Sequence, residues 1–216
     1  MKLKTVLVTG GTTRLGRALA EDLRARGWRV LTTSHRADAG ADILADFADP
    51  FGPARAYAAC LRLLDGQPPD ALVNNAALFV GADETLTAVN VEAPKKLTML
   101  MAGRETGRGA VVNVLDTRVL GVAAGASLSP YAATKAALLA YTRTSAALFA
   151  ETLRVNAVAP GPVLAPTDVH EKAGETLLGR PTPADVAQGV AYLLEAAAMT
   201  GAVLPIDGGQ HLVSQP

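Results

Sequence analysis

Short runs of Val, Leu and Ile recur along the chain, separated by longer stretches in which apolar positions return every three or four residues. The runs predict buried strands at Thr5–Thr9, Arg29–Thr33, Ala71–Asn74, Ala110–Leu115, Leu153–Ala157 and Ala202–Ile206. The stretches between them predict helices over Leu15–Arg26, Pro53–Leu64, Leu86–Met101, Tyr131–Ala150 and Ala184–Ala196. Breakers fall where such a plan needs them: Gly27 after the first helix, Pro68-Pro69 before the third strand, and Pro183-Ala184-Asp185 opening the last helix. Strands that alternate with helices in this way form a parallel sheet covered on both faces. The expectation is an α/β fold: a single doubly wound domain over residues 1–216, with a mostly parallel sheet flanked by helices.

Composition narrows the function classes. The chain has 216 residues, half of them hydrophobic, and 20 Lys+Arg balance 20 Asp+Glu. That is too apolar for disorder, and the zero net charge argues against wholesale attraction to nucleic acid or an anionic membrane. The N-terminal run Val6-Leu7-Val8 is far shorter than a membrane span or a signal segment. The single Cys60 cannot form an internal disulfide, so a reducing cytoplasm is the expected location. No His/Cys/Asp/Glu cluster has metal-ligand spacing, and no catalytic metal is expected.

The segment Thr9-Gly10-Gly11-Thr12-Thr13-Arg14-Leu15-Gly16 follows the first strand and opens the first helix, which is the context of a Rossmann-type dinucleotide site. Gly10 can make the tight turn and Gly16 lets the helix lie close to the sheet, while the helix N-terminus offers N–H groups to a pyrophosphate. Arg14 stands where a third close glycine is expected, and its guanidinium can reach phosphate or substrate. After the second strand the chain reads Thr33-Ser34-His35-Arg36, with no acid before Asp38. An acid there would bind a ribose 2′-OH, whereas bases welcome a 2′-phosphate, so NADP is favoured over NAD.

Tyr131-Ala132-Ala133-Thr134-Lys135 puts a phenol and an ammonium on one helix face. A free Tyr titrates near ~10, and an adjacent cation favours its phenolate. Alone, such a pair is commonly just a surface contact.

Together these segments resemble the short-chain dehydrogenase/reductase family nearly end to end. The matching landmarks are Thr9 to Gly16, Asp46, Asn74-Asn75-Ala76-Ala77, Asn90, Asn113, Tyr131 with Lys135, Asn156 to Gly161, and Thr200-Gly201 with Asp207-Gly208-Gly209. The resemblance implies that Asp46 meets the adenine, that Asn74 and Ala76 lie beside the cofactor, and that Asn90 helps hold a water-linked proton path to Lys135. It further implies that Lys135 binds the nicotinamide ribose and that Pro160 and Gly161 lie by the nicotinamide. It also implies a homo-oligomer, dimer or tetramer, built on the helices after Leu86 and Tyr131.

Three residues after Asn113 such enzymes commonly carry a Ser, and this chain has Asp116. An ionised carboxylate accepts hydrogen bonds and cannot polarise a ketone oxygen, so it suits a substrate that presents N–H groups or a proton relay to Tyr131. The alternative is that Asp116 is an ordinary loop carboxylate and Thr117 supplies the hydroxyl. Arg14, His35-Arg36, Asp116 and Phe79 together resemble the pteridine-reductase branch, in which the pterin is sandwiched between nicotinamide and an aromatic ring. Ala77 departs from that branch, which often has a Ser there.

The resulting expectation is an NADPH-dependent reductase of a pterin-like substrate. Its catalytic residues are Tyr131, Lys135, Asp116 and Asn90, and its substrate contacts are Arg14, Phe79, Asp116 and Tyr131. The cofactor residues are Gly10, Thr13, Arg14, Leu15, Gly16, Ser34, His35, Arg36, Asp46, Asn74, Ala76, Tyr131, Lys135, Pro160 and Gly161. Two alternatives keep the same cofactor landmarks: a carbonyl or 3-oxoacyl reductase, and a catalytically idle NADPH-binding sensor. Further pocket walls are expected from Leu120 to Ser129 and from a lid over Pro162 to Gly179 that carries Asp168, His170, Glu171 and Lys172. Only 12 residues, Leu78 to Val89, separate Ala77 from Asn90, which trims the wall beside Phe79.

Overall fold

The computed structural model describes residues 3–105, 107–120, 129–164 and 176–213. Among these, seven strands form one sheet: β1 (Thr5–Val8), β2 (Arg29–Ser34), β3 (Ile43–Leu44), β4 (Ala71–Asn74), β5 (Gly109–Val114), β6 (Leu153–Pro160) and β7 (Val203–Ile206). Their order is β3-β2-β1-β4-β5-β6-β7, and every pairing is parallel. The helices are α1 (Arg14–Ala25), α2 (Gly52–Leu63), α3 (Asp83–Thr87), α4 (Ala93–Ala102), α5 (Pro130–Leu148) and α6 (Pro183–Glu195).

The apolar runs serve both faces because successive strand side chains point to opposite sides. Val6, Val8, Val73 and Val112 pack on one face with Leu19 and Leu23 of α1 and Val186 and Val190 of α6. Their neighbours Leu7, Leu72 and Val111 pack on the other with Tyr57 and Cys60 of α2 and Leu97 and Met101 of α4. Helix ends follow the breakers. Gly27 takes φ +85, which lets the Trp28 N–H reach the Leu23 carbonyl at 3.0 Å and close α1. Thr182 and Asp185 form a reciprocal capping box at the start of α6, with Pro183 in the first turn.

Three departures from the expected elements have physical reasons. β3 is only two residues long, paired through Thr33 with Ile43 and Ser34 with Leu44, and is too short to show a period. The single helix expected over Leu86–Met101 is divided by a π turn, Ala88–Glu92, between α3 and α4. β6 runs on to Pro160 because its last residues still pair with β7, with Pro160 opposite Ile206. The Pro162–Gly179 lid falls largely outside the described residues, as do Asp168, His170, Glu171 and Lys172, most of Leu120–Ser129, and the tail Ser214-Gln215-Pro216.

Parallel pairing brings all the strand carboxyl ends to one edge. The chain direction across the sheet reverses between β1 and β4, and a crevice at such a point is where open α/β sheets bind ligands. No helix among the described residues is long and apolar enough to cross a membrane.

Candidate active site

The turn between β1 and α1 is closed so tightly that side chains are excluded. Gly10 has φ +61, and a Cβ on Gly16 would sit 2.0 Å from the Gly10 carbonyl oxygen. Thr13 is the N-cap of α1 yet makes no side-chain capping bond, so the first-turn N–H groups around Leu15 and Gly16 carry no capping side chain. A bare helix N-terminus behind a glycine turn suits a pyrophosphate. The turn is strapped from β4. The Asn75 amide donates to the carbonyls of Thr9 (2.9 Å) and Gly10 (3.2 Å), and the N–H groups of Asn75 and Ala76 donate to the Thr9 hydroxyl at 2.9 and 3.0 Å. Arg14 is exposed and holds φ +49, a left-handed conformation that a glycine would adopt without strain.

At the end of β2 the Ser34 hydroxyl accepts the Arg36 N–H at 3.1 Å. The Arg36 guanidinium is engaged in a two-pronged pair with Asp38, Nε–Oδ1 3.0 Å and Nη2–Oδ2 2.8 Å, which holds the Asp38 carboxyl below its usual range. His35 and Asp46 line a cavity of about 300 Å³ with Leu44, Ala45, Gly52 and Arg55. The structure thus brings together the two residues expected at the adenosine end. A larger cavity of about 400 Å³ lies at the opposite, amino end of the strands, among Lys4, Asp70 and Arg108, and takes no part in the site.

The catalytic candidates meet beyond β5. Ser129 caps α5 by accepting the Ala132 N–H at 3.2 Å, and Pro130 opens the first turn, which sets Tyr131 at the helix mouth. The Tyr131 hydroxyl donates to Asp116 Oδ2 at 3.2 Å. Lys135, one turn on, is 2% exposed; its Nζ donates to the Val114 carbonyl at 2.7 Å and lies 5.7 Å from the Tyr131 ring centre. Burial lowers the Lys135 ammonium to about 8, against the opposing pull of the Asp116 carboxylate. Phe79 is not in the core: it is 37% exposed and packs on Tyr131, ring centres 4.7 Å apart and planes tilted by 55°.

Residue Arg118, not singled out by the sequence, completes this cluster. Its guanidinium lies over the Phe79 ring at 5.3 Å and the Tyr131 ring at 6.0 Å, with Nε 3.8 Å from Asp116 Oδ1. Its N–H donates to Asp116 Oδ1 at 2.9 Å. The available signal was its place two residues after Asp116, on the same turn.

The asparagines act as braces. Both polar groups of the Asn90 side chain clamp the Leu78 backbone at 2.8 Å, and its amide also donates to Thr134 at 3.0 Å, so the side chain fixes the segment before Phe79 rather than touching Lys135. The Asn74 amide donates to Asn113 at 2.8 Å, whose own amide donates to Thr142 of α5 at 2.9 Å. Asn74 is buried, and its side chain ties β4 to β5. Pro160 ends β6, and the Gly161 N–H donates to Ile206 at 3.0 Å; a Cβ on Gly161 would lie 2.8 Å from the Asp207 Cα.

The possibility that Thr117 supplies a substrate-facing hydroxyl is corrected. Thr117 is buried and donates its hydroxyl to the Asp207 carboxylate, which also accepts the N–H groups of Gly209 (2.9 Å) and His211 (2.8 Å) and pairs with His211 Nδ1 at 2.8 Å. Burial works to raise the Asp207 carboxyl, but the Thr117 hydroxyl and these N–H groups hold it below its usual range. His211 is therefore tied to a buried acid. No group of three or more His, Cys, Asp or Glu able to hold a metal occurs among the described residues.

Known proteins are similar to this chain in sequence and fold. The profile of the short chain dehydrogenase family matches residues 4–177. Protein FixR of Bradyrhizobium diazoefficiens is 32% identical over 97% of this chain and 87% of its own length. The 3-oxoacyl-[acyl-carrier-protein] reductase of Bos taurus is 30% identical over 97% of this chain and 98% of its own. Among solved structures, FolM alternative dihydrofolate reductase 1 from Brucella canis, complexed with NADP, superposes with a TM-score of 0.79 at 32% identity, covering 99% of this chain and 96% of its own. With the glycine turn, the parallel sheet and the Tyr131–Lys135 helix in place, the chain belongs to the short-chain dehydrogenase/reductase family.

Proposed function

We propose that this protein is an NADPH-dependent reductase of pterin-like substrates. The observation that carries the substrate is the carboxylate of Asp116, hydrogen-bonded to the Tyr131 hydroxyl where a ketone reductase would need a donor. The exposed Phe79 ring beside it offers a face to a planar heterocycle, and the NADP-bound FolM structure supports the same reading. The bare N-terminus of α1 fits a pyrophosphate, and His35 with Arg36 fits a 2′-phosphate. Gly10, Thr13, Arg14, Leu15, Gly16, Ser34, Asp46, Ala76, Pro160 and Gly161 would complete the cofactor contacts.

NADPH supplies the hydride when bound. Tyr131 delivers the balancing proton to the reduced C=N or C=O group, directly or through Asp116. The cation of Lys135 near the Tyr131 ring offsets the charge left on its oxygen, while Asp116 works against it. Asn90 holds the Leu78–Phe79 wall in register with α5 through Thr134. The Met99, Leu100 and Leu148 side chains exposed on α4 and α5 suit a homodimer or homotetramer, and the free, buried Cys60 suits a cytoplasmic location.

The test is NADPH oxidation against dihydropterin, quinonoid dihydropteridine and 3-oxoacyl panels. The pterins should turn over, and Tyr131→Phe should abolish turnover with NADPH binding intact. The 3-oxoacyl reading, favoured by the bovine relative, requires the reverse preference. In that case Asp116→Ser should raise ketone reduction, whereas a pterin reductase loses activity. NADPH binding with no turnover on any panel would leave the idle sensor.

A further inference from the structure

The segment between Ala77 and Asn90 is short, and Asn90 draws it down by clamping Leu78, so Phe79 forms the rim of the site. On that rim Arg118 lies over two aromatic faces, Phe79 and Tyr131, and within 4 Å of Asp116. Three of the four side chains assigned to the substrate therefore surround this one guanidinium. Its placement is built, not casual: Asp116 caps the short turn Thr117–Val119 by accepting the Arg118 N–H, and Thr117 anchors that turn to buried Asp207. The side chain keeps about a quarter of its surface, 27%, open to solvent.

A guanidinium over ring faces contributes cation–π attraction and keeps a strong preference for planar anions, which it binds through paired N–H groups. Asp116 accepts the Tyr131 hydroxyl and the Arg118 N–H, and its Oδ1 lies 3.8 Å from Arg118 Nε. Among the described residues two cations, Arg118 and Lys135, lie near the Tyr131 ring beside the Asp116 carboxylate, so an anionic group entering at the rim meets a favourable field.

We propose that Arg118 is a specificity-determining residue that binds a carboxylate on the tail of a planar substrate. This deepens the pterin reading and rests on it for the ring, while the carboxylate preference stands on Arg118 itself. A substrate that stacks its ring on Phe79 carries its tail outward past Arg118, so a charged tail gains a charge-assisted pair that an uncharged tail cannot.

The experiment compares dihydrofolate, which has a carboxylate tail, with a dihydropterin bearing an uncharged side chain. KM is measured for wild type, Arg118→Gln and Arg118→Lys, and folate binding to the NADP-loaded protein is followed by titration calorimetry. Arg118→Gln should raise the dihydrofolate KM and the folate Kd on the order of tenfold. The uncharged dihydropterin and NADPH should keep their KM within about twofold, and Arg118→Lys should recover part of the loss. The wild-type dihydrofolate KM should also rise with salt and lose that dependence in Arg118→Gln. A second pair, acetoacetate and its ethyl ester, reads the same contrast on carbonyl substrates. Turnover of only the second pair by wild type refutes the pterin reading and still supports Arg118 if the acid loses selectively in Arg118→Gln. Equal losses for charged and uncharged members, no loss at all, or a wild type with no preference for the charged member of either pair overturns the assignment.

Discussion

Lys135 is a buried cation that the fold tolerates at a cost, and replacing it with Met should make the protein more stable while destroying its activity. Burial lowers its ammonium from 10.5 to about 8, a change worth about 3 kcal/mol against folding wherever both states are protonated. Met fills similar space without charge, but the Val114 carbonyl loses its 2.7 Å partner, which costs back about 1 kcal/mol. The net expectation at pH 7 is a gain of about 2 kcal/mol, or roughly 4–8 °C in Tm for a chain of this size. The sign with pH is definite. A depressed lysine penalises the folded state fully below about 8, and the penalty fades as pH rises towards 10.5, because the unfolded chain then holds the extra proton. Wild type should therefore close on the variant by about 2 kcal/mol between pH 7 and pH 10. Urea melts of both proteins without cofactor, at half-unit steps of pH, measure this difference directly. Parallel curves across that range, or a variant less stable than wild type at pH 7, would refute the assignment of a strained buried cation.

Three further perturbations test other parts of the site. Arg14→Gly should relieve the left-handed backbone at φ +49 and stabilise the protein by about 1 kcal/mol, yet raise the NADPH KM several-fold; chemical melts paired with kinetics check both halves. Asp38→Asn should release Arg36 from its two-pronged pair and lower the NADPH KM at low salt while leaving the NADH KM unchanged; equal shifts for the two cofactors would exclude a 2′-phosphate role for Arg36. Gly16→Ala would put a Cβ 2.0 Å from the Gly10 carbonyl oxygen, so calorimetry should show NADPH binding weakened by more than about tenfold as the turn opens.

The sequence revealed most where a physical rule acts over a few neighbours. The pleat of a strand sends Val6 and Val8 to one face and Leu7 to the other, and the glycine turn was legible from its place between a strand and a helix. It revealed less where the determinant is two residues long, as in β3, or where a helix changes pitch, as at Ala88–Glu92. Asn90 was recognised but its work was not, because its partners Leu78 and Thr134 are 12 and 44 positions away. Asp38 showed as an acid beyond the decisive position, whereas its hold on Arg36 is a matter of side-chain reach. Arg118 was hidden for the opposite reason: a lone arginine in a loop carries no local pattern, and its meaning comes from the two rings beneath it.

The character of the site turns on which of two adjacent residues faces the substrate, and the last strand decides it. Asp116 and Thr117 follow β5 after Leu115, and a rotation of this turn would exchange a carboxylate for a hydroxyl at the site. Asp207, just after β7, takes the Thr117 hydroxyl into a buried network with Gly209 and His211, 90 positions along the chain. Releasing that hydroxyl would leave a buried carboxylate short of a partner, a penalty of about 1–3 kcal/mol or more for a charged group. The turn is therefore held with Asp116 outward beside Tyr131 and Arg118. An acceptor flanked by cations favours substrates that offer N–H groups over those that offer only a carbonyl oxygen. The C-terminal Asp-Gly-Gly segment thus holds the Thr117 hydroxyl in the buried network and leaves the Asp116 carboxylate beside Tyr131.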